Sequence, residues 1–107
     1  MKRVILESPY AGDIEKNIEY GRACLRDSIM RGEAPIASHL LLTQPKVLDD
    51  SNPAERKVGI EAGLAWGEVS DGTVVYEDYG ISNGMVYGIN RAICAGKPVE
   101  YRRILPQ

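Results

Sequence analysis

Apolar residues follow two different patterns along this chain, and the two patterns alternate. Short continuous apolar runs, such as residues 4–6, suit inner strands of a parallel sheet, because those strands are buried on both faces. Between them lie longer segments in which apolar residues recur every three or four positions, as on one face of an amphipathic helix. The pattern therefore predicts strands that alternate with helices.

Four strands are predicted, at residues 4–6, 34–42, 73–76 and 99–105. The second strand ends in a run of leucines, which is equally typical of the start of a short helix. The last strand alternates apolar and polar residues, as expected of a half-exposed strand at the edge of a sheet. Residues 44–52 form a long polar connector, which we expect to be a mobile loop or lid.

The first and third helices have clear caps. Asp13 caps the first helix, which ends near Arg31, and Gly96 ends the third helix, which Ser82 or Asn83 caps. The expected buried face of the first helix is Ile14, Ile18, Gly21, Leu25 and Ile29. The expected buried face of the third helix is Met85, Ile89, Ala92 and Ile93.

The second helix begins at Asn52-Pro53, where Asn caps and Pro occupies the first turn, and ends near Val69. Its expected buried stripe is Val58, Ala62, Ala65 or Trp66, and Val69. Gly59 and Gly63 are four residues apart, which indicates close packing against another helix or a subunit. For Trp66 we favour a subunit contact or the edge of the core over stacking on a base.

The order βαβαβαβ predicts an α/β fold with parallel strands, right-handed crossovers and helices on both faces of the sheet. In such sheets ligands bind beyond the carboxyl ends of the strands. Residues 8–12, 38–42 and 77–84 follow those ends, so we expect them to converge at one rim. The helix N-terminus after Ser82 adds free backbone N–H groups, which suit an anionic or ribose-like ligand.

Composition narrows the class of protein. The 107 residues predict a single domain, residues 1–107, and 44% hydrophobic with 26% charged residues is typical of a folded globular chain. A net charge of −2 gives no general attraction to nucleic acid or to an anionic membrane. Three consecutive apolar residues near the N-terminus are too few for a signal peptide or a membrane span, so a cytoplasmic protein is expected.

The cysteines and the histidine do not suggest a metal site. Cys24 and Cys94 lie outside any CxxC motif, and His39 is the single histidine, so we predict no metal and no cofactor. Both cysteines are expected to be small core thiols in a reducing compartment.

The predicted rim supplies the candidate ligand-binding residues. These are Ser8, Pro9, Tyr10, Ala11, Gly12, His39, Asp78, Ser82, Asn83, Gly84 and Met85. Tyr10 suits stacking on a base, His39 suits proton transfer or a hydrogen bond to the ligand, and Asp78 or Glu77 suits a ribose hydroxyl. Purely structural roles stay open for each of them, and Met85 also fits the helix core.

Several of these segments resemble the nucleoside 2-deoxyribosyltransferase-like superfamily. The resemblance rests on Ser8-Pro9-Tyr10-Ala11-Gly12, on Ser82-Asn83-Gly84-Met85, and on Ala92 with Gly96-Lys97-Pro98-Val99. In layout the chain looks like a small branch of that superfamily often carried by phages and mobile elements. The resemblance implies a flavodoxin-like three-layer sandwich with a small four-stranded, mainly parallel sheet, a homo-oligomer, and a pocket for a nucleotide-derived small molecule.

The chain departs from the superfamily at one position. Catalytic members carry a nucleophilic Glu one helical turn after the Ser-x-Gly pair, and the matching residue here is Gly88. One hypothesis is therefore a protein that binds a nucleotide-derived molecule without transforming it, for example to sequester a signal in the cytoplasm of a phage host. The alternative is an N-glycosidase or deoxyribosyltransferase with a relocated carboxylate, from Asp78, Glu77 or Glu61, and with His39 as a proton carrier. A structural module with a vestigial pocket is the third possibility.

Overall fold

The structure, a computed structural model, describes residues 1–106. Its strands are β1 (Lys2–Glu7), β2 (Glu33–Ile36), β3 (Gly72–Tyr76) and β4 (Val99–Arg102). Its helices are α1 (Ile14–Met30), α2 (Ser38–Leu41), α3 (Pro53–Glu68) and α4 (Asn83–Cys94). Each predicted helix and strand is present, and a further short helix, α2, replaces the end of the second predicted strand.

The four strands form one parallel sheet in the order β2-β1-β3-β4. On one face, Val4 and Leu6 pack with Tyr20 and Cys24 of α1. On the other face, Val75 packs with two residues of α4, Met85 and Ile89. Helices therefore cover both faces of the sheet, and the predicted α/β, flavodoxin-like architecture is confirmed.

The second predicted strand is shorter than expected. β2 ends at Ile36, and the leucine run that follows forms α2, which was the alternative that the sequence left open. The last strand is also shorter, ending at Arg102, and it lies at the edge of the sheet as predicted.

The buried face of α1 differs from the predicted one. Ile14 and Ile29 are 44% and 51% exposed, whereas the buried residues are Asn17, Tyr20, Gly21, Cys24 and Ser28. Three of these carry polar groups, and each group has a hydrogen-bond partner within the fold. The predicted face is confirmed at Gly21, and Ile18 and Leu25 are half-buried, but Ile14 and Ile29 are wrong. Hydrophobic spacing missed the polar residues because a satisfied polar side chain can be buried at little cost.

The predicted stripe of α3 is also wrong. Val58, Trp66 and Val69 are at least half exposed, and no residue of this helix is fully buried. The glycine face points inward instead: a Cβ atom on Gly63 would lie 2.6 Å from Oγ of Ser38 in α2. The interpretation of close helix packing is therefore confirmed at Gly63, with α2 as the neighbouring helix, whereas Gly59 lies against Leu48 of the connector.

In α4 the predicted face is largely confirmed. Met85, Ile89 and Ala92 are buried, whereas Ile93 is 58% exposed. The two cysteines differ: Cys24 is buried, as predicted, but the prediction for Cys94 is wrong, because it is exposed at the end of α4.

A buried ion pair lies on the α1 side of the sheet. The Arg102 guanidinium donates to both carboxylate oxygens of Glu33, at 2.7 and 2.6 Å, and Oγ of Ser28 donates to the same carboxylate. These hydrogen bonds lower the pKa of Glu33 to about 2. Among residues 1–106, no helix is long and apolar enough to span a membrane.

Candidate functional site

A cavity of about 870 Å³ lies between the sheet, α3 and α4, and it opens at the carboxyl ends of the strands. Most of the candidate residues line it: Ser8, Tyr10, Ala11, His39, Ser82, Asn83, Gly84 and Met85. Pro9 and Gly12 belong to the same loop but do not line the cavity. The structure therefore brings the ends of β1 and β2 and the start of α4 to one cleft, as the parallel topology requires.

The side chain of Asn17 in α1 hydrogen-bonds to the loop between β1 and α1. Its Nδ2 atom donates to the carbonyl oxygens of Tyr10 and Ala11, each at 3.0 Å. Gly12 has a φ of +97°, a conformation that favours glycine, and it turns the chain into α1. Tyr10 is thus presented to the cleft by a loop with fixed backbone geometry.

Ser8 and His39 form a polar pair at the centre of the cleft. Oγ of Ser8 and Nε2 of His39 are 2.7 Å apart. Burial lowers the pKa of His39 to about 4, so the imidazole is neutral near pH 7. A neutral imidazole beside a hydroxyl can donate or accept a hydrogen bond to a ligand, but it brings no positive charge.

The carboxylate of Glu7 is the chemically most distinctive group of the cleft. Glu7 ends β1, lines the cavity, and has no hydrogen-bond or ion-pair partner among residues 1–106. Burial raises its pKa to about 8. Carboxyl groups with raised pKa values in a cleft are candidates for chemistry.

Glu7 lies directly against Gly88 of α4. A Cβ atom on Gly88 would be 2.2 Å from Oε2 of Glu7 and 2.8 Å from its carboxyl carbon. The carboxylate of Glu7 therefore fills the space that any side chain at position 88 would begin to occupy. A Glu at position 88 would therefore bring its carboxyl group into the same part of the cleft that Glu7 reaches from β1.

Sequence reasoning missed Glu7, although a signal for it exists. Glu7 directly follows the apolar run of residues 4–6 in an inner strand, where a buried charge is costly unless it is paired or hydrogen-bonded. The departure at Gly88 was recognised, but pairing it with Glu7 requires knowing that β1 and α4 face each other.

The three carboxylates considered from the sequence lie elsewhere. Asp78 accepts hydrogen bonds from Tyr20 Oη at 2.7 Å and from the backbone N–H groups of Ile104 and Leu105 at 3.0 and 3.1 Å. It joins the end of the chain to α1 and does not line the cavity. Glu77 pairs with Arg103 at 3.4 Å, and Glu61 is exposed on α3; neither lines the cavity.

The start of α4 and the far end of the cavity are also polar. Ser82 caps α4 by accepting from the backbone N–H of Met85 at 3.4 Å, which leaves the first N–H groups of the helix beside the cleft. At the other end, Nζ of Lys97 donates to the carbonyl oxygens of Gly67, Glu68 and Ser70 at 2.7–2.8 Å. Within residues 1–106, no cluster of three or more acidic, His or Cys side chains could hold a metal ion.

Comparisons with known proteins agree with this architecture. The chain is similar in structure to a 2-deoxyribosyltransferase from the psychrotolerant bacterium Bacillus psychrosaccharolyticus, with a TM-score of 0.65 and 19% sequence identity over 97% of this chain and 77% of that one. At that identity the likeness shows a shared fold. No curated protein sequence matches the chain. A family model described as a domain of unknown function, DUF7768, matches residues 2–102. The chain therefore belongs to the DUF7768 family, with the fold of the deoxyribosyltransferases.

Proposed function

We propose that this protein binds a nucleoside or nucleotide in the cleft and cleaves its N-glycosidic bond, with Glu7 as the group that meets the anomeric carbon. The observation that carries the proposal is the contact between Glu7 and Gly88, in which a strand carboxylate occupies the place of a helix carboxylate. The similarity to a 2-deoxyribosyltransferase supports the class of substrate. It also makes hydrolysis and transfer of the sugar to a second base the two outcomes to distinguish.

The chemistry follows from a carboxylate nucleophile. The ionised Glu7 forms a C–O bond to the anomeric carbon while the C–N bond to the base breaks, and the base leaves with the electron pair and takes a proton from solvent. Water, or a nitrogen of a second base, then attacks the same carbon and releases Glu7. Because the pKa of Glu7 is about 8, kcat/KM should rise with pH and level off near that value.

The other cleft residues have positioning roles in this proposal. Tyr10 stacks on a ring of the ligand, and the Ser8–His39 pair hydrogen-bonds a sugar hydroxyl. The N–H groups at the start of α4, near Asn83, suit a phosphate if the substrate is a nucleotide.

The experiment is product analysis by chromatography, with nucleosides, nucleotides and NAD as substrates. We expect free base from at least one of them, and a loss of at least about 1000-fold in kcat for Glu7→Gln, since a neutral amide cannot form the ester. The matched control is Glu61→Gln, which removes an exposed carboxylate outside the cleft and should retain full activity. Turnover that survives Glu7→Gln contradicts the proposal.

A second candidate function is sequestration without turnover. It is favoured by the raised pKa of Glu7, because a carboxyl group that keeps its proton near pH 7 is a hydrogen-bond donor rather than a nucleophile. Such a protein would hold a nucleotide signal in the cytoplasm, that of the host if the protein is encoded by a phage. Mass spectrometry of small molecules released from the denatured protein tests it: an intact nucleotide, with no free base formed on incubation, selects this function over the first.

Self-association is part of the proposal. The outer face of α3 carries Val58, Trp66 and Val69, which are 54%, 50% and 55% exposed. Apolar side chains that line up on one exposed face are typical of a surface that another copy covers, so a homo-oligomer remains our expectation.

A further inference from the structure

The cavity continues well beyond Glu7, into a space between the sheet and α3. Here we define this inner chamber by Ile5 and Thr73 on the sheet, Leu64 and Gly67 on α3, and Ala92 on α4, all of which line the cavity. Ile5 and Thr73 are neighbours in the sheet register, two residues before Glu7 along β1. At about 3.3 Å per residue the chamber floor lies about 7 Å deeper than Glu7.

The residues that define the inner chamber expose mainly carbon, and Glu68, Ser70, Arg91 and Lys97 line the cavity next to them. Gly67 presents bare backbone, and a Cβ atom there would meet no atom within 4 Å. Leu64, Ile5 and Ala92 add only carbon. A space of this kind favours a flat ring over a flexible polar chain, because the ring buries apolar area without losing conformational freedom.

One polar group faces this chamber without a partner. Thr73 is 5% exposed and lines the cavity, and within residues 1–106 its hydroxyl makes no hydrogen bond. No side-chain oxygen or nitrogen that is fully shielded from solvent lacks a partner in the described chain. The Thr73 hydroxyl is therefore open to the chamber, where it can donate to or accept from one edge atom of a ligand.

From these features we infer that the inner chamber is the site of the nucleobase, that Thr73 hydrogen-bonds the base, and that the preferred base is a purine. The inference rests on the proposed function, in which Glu7 meets the anomeric carbon to which the base is attached. A bicyclic purine reaches from that carbon toward the chamber floor and buries more apolar area than a pyrimidine. The unpartnered hydroxyl of Thr73 gives one directional contact.

Calorimetric titration with free adenine, and with cytosine for comparison, tests the inference. We expect adenine to bind more tightly than cytosine. Thr73→Val should weaken adenine binding about 3- to 10-fold, as for the loss of one neutral hydrogen bond, and Thr73→Ser should retain it. Gly67→Leu, which fills the chamber and improves helix propensity, should weaken it by more than about 10-fold.

The matched control is Ala65→Leu, on the exposed side of the same helix. It should leave adenine binding unchanged, and circular dichroism should show that every variant is folded. Adenine binding that is equal in wild type, Thr73→Val and Gly67→Leu overturns the base site.

The two proposals can fail separately. If nucleosides are cleaved in a Glu7-dependent way but Gly67→Leu leaves KM unchanged, the inner chamber is not the base site although the proposed function stands. If no nucleoside is cleaved but adenine binding depends on Gly67 and Thr73, the base site stands and the cleavage does not.

Discussion

At the scale of single residues, the proposed chemistry depends on one pair of residues, Glu7 and Gly88. A carboxylate at the end of β1 and a glycine on α4 occupy positions that exclude a side chain on both at once. Neither residue is unusual alone. Together they determine where the Glu7 carboxyl group can lie, because a side chain at position 88 would occupy the same space.

The first prediction concerns Gly88. Gly88→Ala should displace the Glu7 carboxylate, since the new Cβ atom would lie 2.2 Å from Oε2. The protein should remain folded, because alanine gains up to about 1 kcal/mol of helix propensity and the displaced group is the flexible end of a side chain. Activity or ligand binding should fall at least about 10-fold, and the double variant Glu7→Ala/Gly88→Glu should recover part of it. The control is Asn90→Ala, at an exposed position of the same helix that does not line the cavity.

A contradictory result would be a Gly88→Ala protein with full activity, or a double variant no better than Glu7→Ala alone. Kinetics and thermal denaturation on the same samples separate loss of activity from loss of fold.

The second prediction concerns the pH dependence of stability. The folded state keeps a proton on Glu7 up to about pH 8, whereas the unfolded chain releases it near pH 4.5. Between these pH values the folded state binds more protons than the unfolded chain. The stability that protonated Glu7 contributes is therefore fully present below pH 4.5 and is lost as pH rises toward 8. Relative to Glu7→Gln, the free energy of unfolding of the wild type should fall over this range. The fall should be at least about 1 kcal/mol, since one pKa unit is worth about 1.4 kcal/mol.

Urea denaturation at pH 5, 6.5 and 8 measures this difference. A difference that does not change with pH would show that Glu7 ionises as an ordinary exposed carboxylate. The pKa of Glu33 shifts in the opposite direction, to about 2. The stability that ionised Glu33 contributes is therefore present above pH 4.5 and is lost as pH falls toward 2. The two groups act in separate pH ranges and can be told apart.

At the scale of elements, α3 forms one wall of the cavity. It has no fully buried residue, and its inner face is formed largely by glycines. Its first turn is capped by Asn52, and its last turn is held by Lys97. Gly59, Gly63 and Gly67 line the cavity from α3, and because they carry no side chains they leave room between this helix and the sheet.

The third prediction tests that attachment. Lys97→Met should remove three hydrogen bonds from an ammonium group to carbonyl oxygens at the end of α3. We expect a loss of about 1–2 kcal/mol in stability, since charged hydrogen bonds are strong but this group is partly exposed. Amide hydrogen exchange should become faster in the last turn of α3 and remain unchanged in α1. Lys57→Met, an exposed lysine of the same helix, is the control, and equal effects of the two variants would count against a specific tether.

At the scale of the whole molecule, the exposed apolar face of α3 raises the question of assembly. Trp66 is half exposed between Val58 and Val69 on this outer face. In a single copy of the chain these side chains contact solvent, which is unfavourable by about 25 cal/mol for each Å² of apolar area. Association of copies through this face would remove that cost.

The fourth prediction is an oligomer that depends on this face. Light scattering after size-exclusion chromatography should give a mass above the 11.8 kDa of one chain. Trp66→Glu should shift the mass toward that of one chain, because it would bury a charge at the interface. Glu61→Gln, on an exposed part of the same helix, should not. A wild-type protein that is monomeric at all concentrations would remove the oligomer from the proposal.

Much of this protein was determined by the order of residues alone. The alternation of apolar runs with helical periodicity predicted the α/β fold, the helix caps at Asp13, Asn52 and Ser82, and the edge position of β4. These features depend on local patterns and on the topology that parallel strands impose. The convergence of Ser8, Tyr10 and His39 with the start of α4 also followed from topology, since the carboxyl ends of parallel strands share one edge.

Only the tertiary structure decided which helix faces are buried and which carboxylate faces the cleft. On α1, Asn17, Tyr20 and Ser28 are buried in place of the expected isoleucines. Asn17 and Ser28 bond to the segments next to the helix, whereas Tyr20 donates to Asp78, which lies far along the chain. Asp78 has structural partners, whereas Glu7 has a cavity in front of it and Gly88 beside it. The local sequence around a carboxylate does not contain its distant neighbours, and those neighbours determine whether it is a structural or a reactive group.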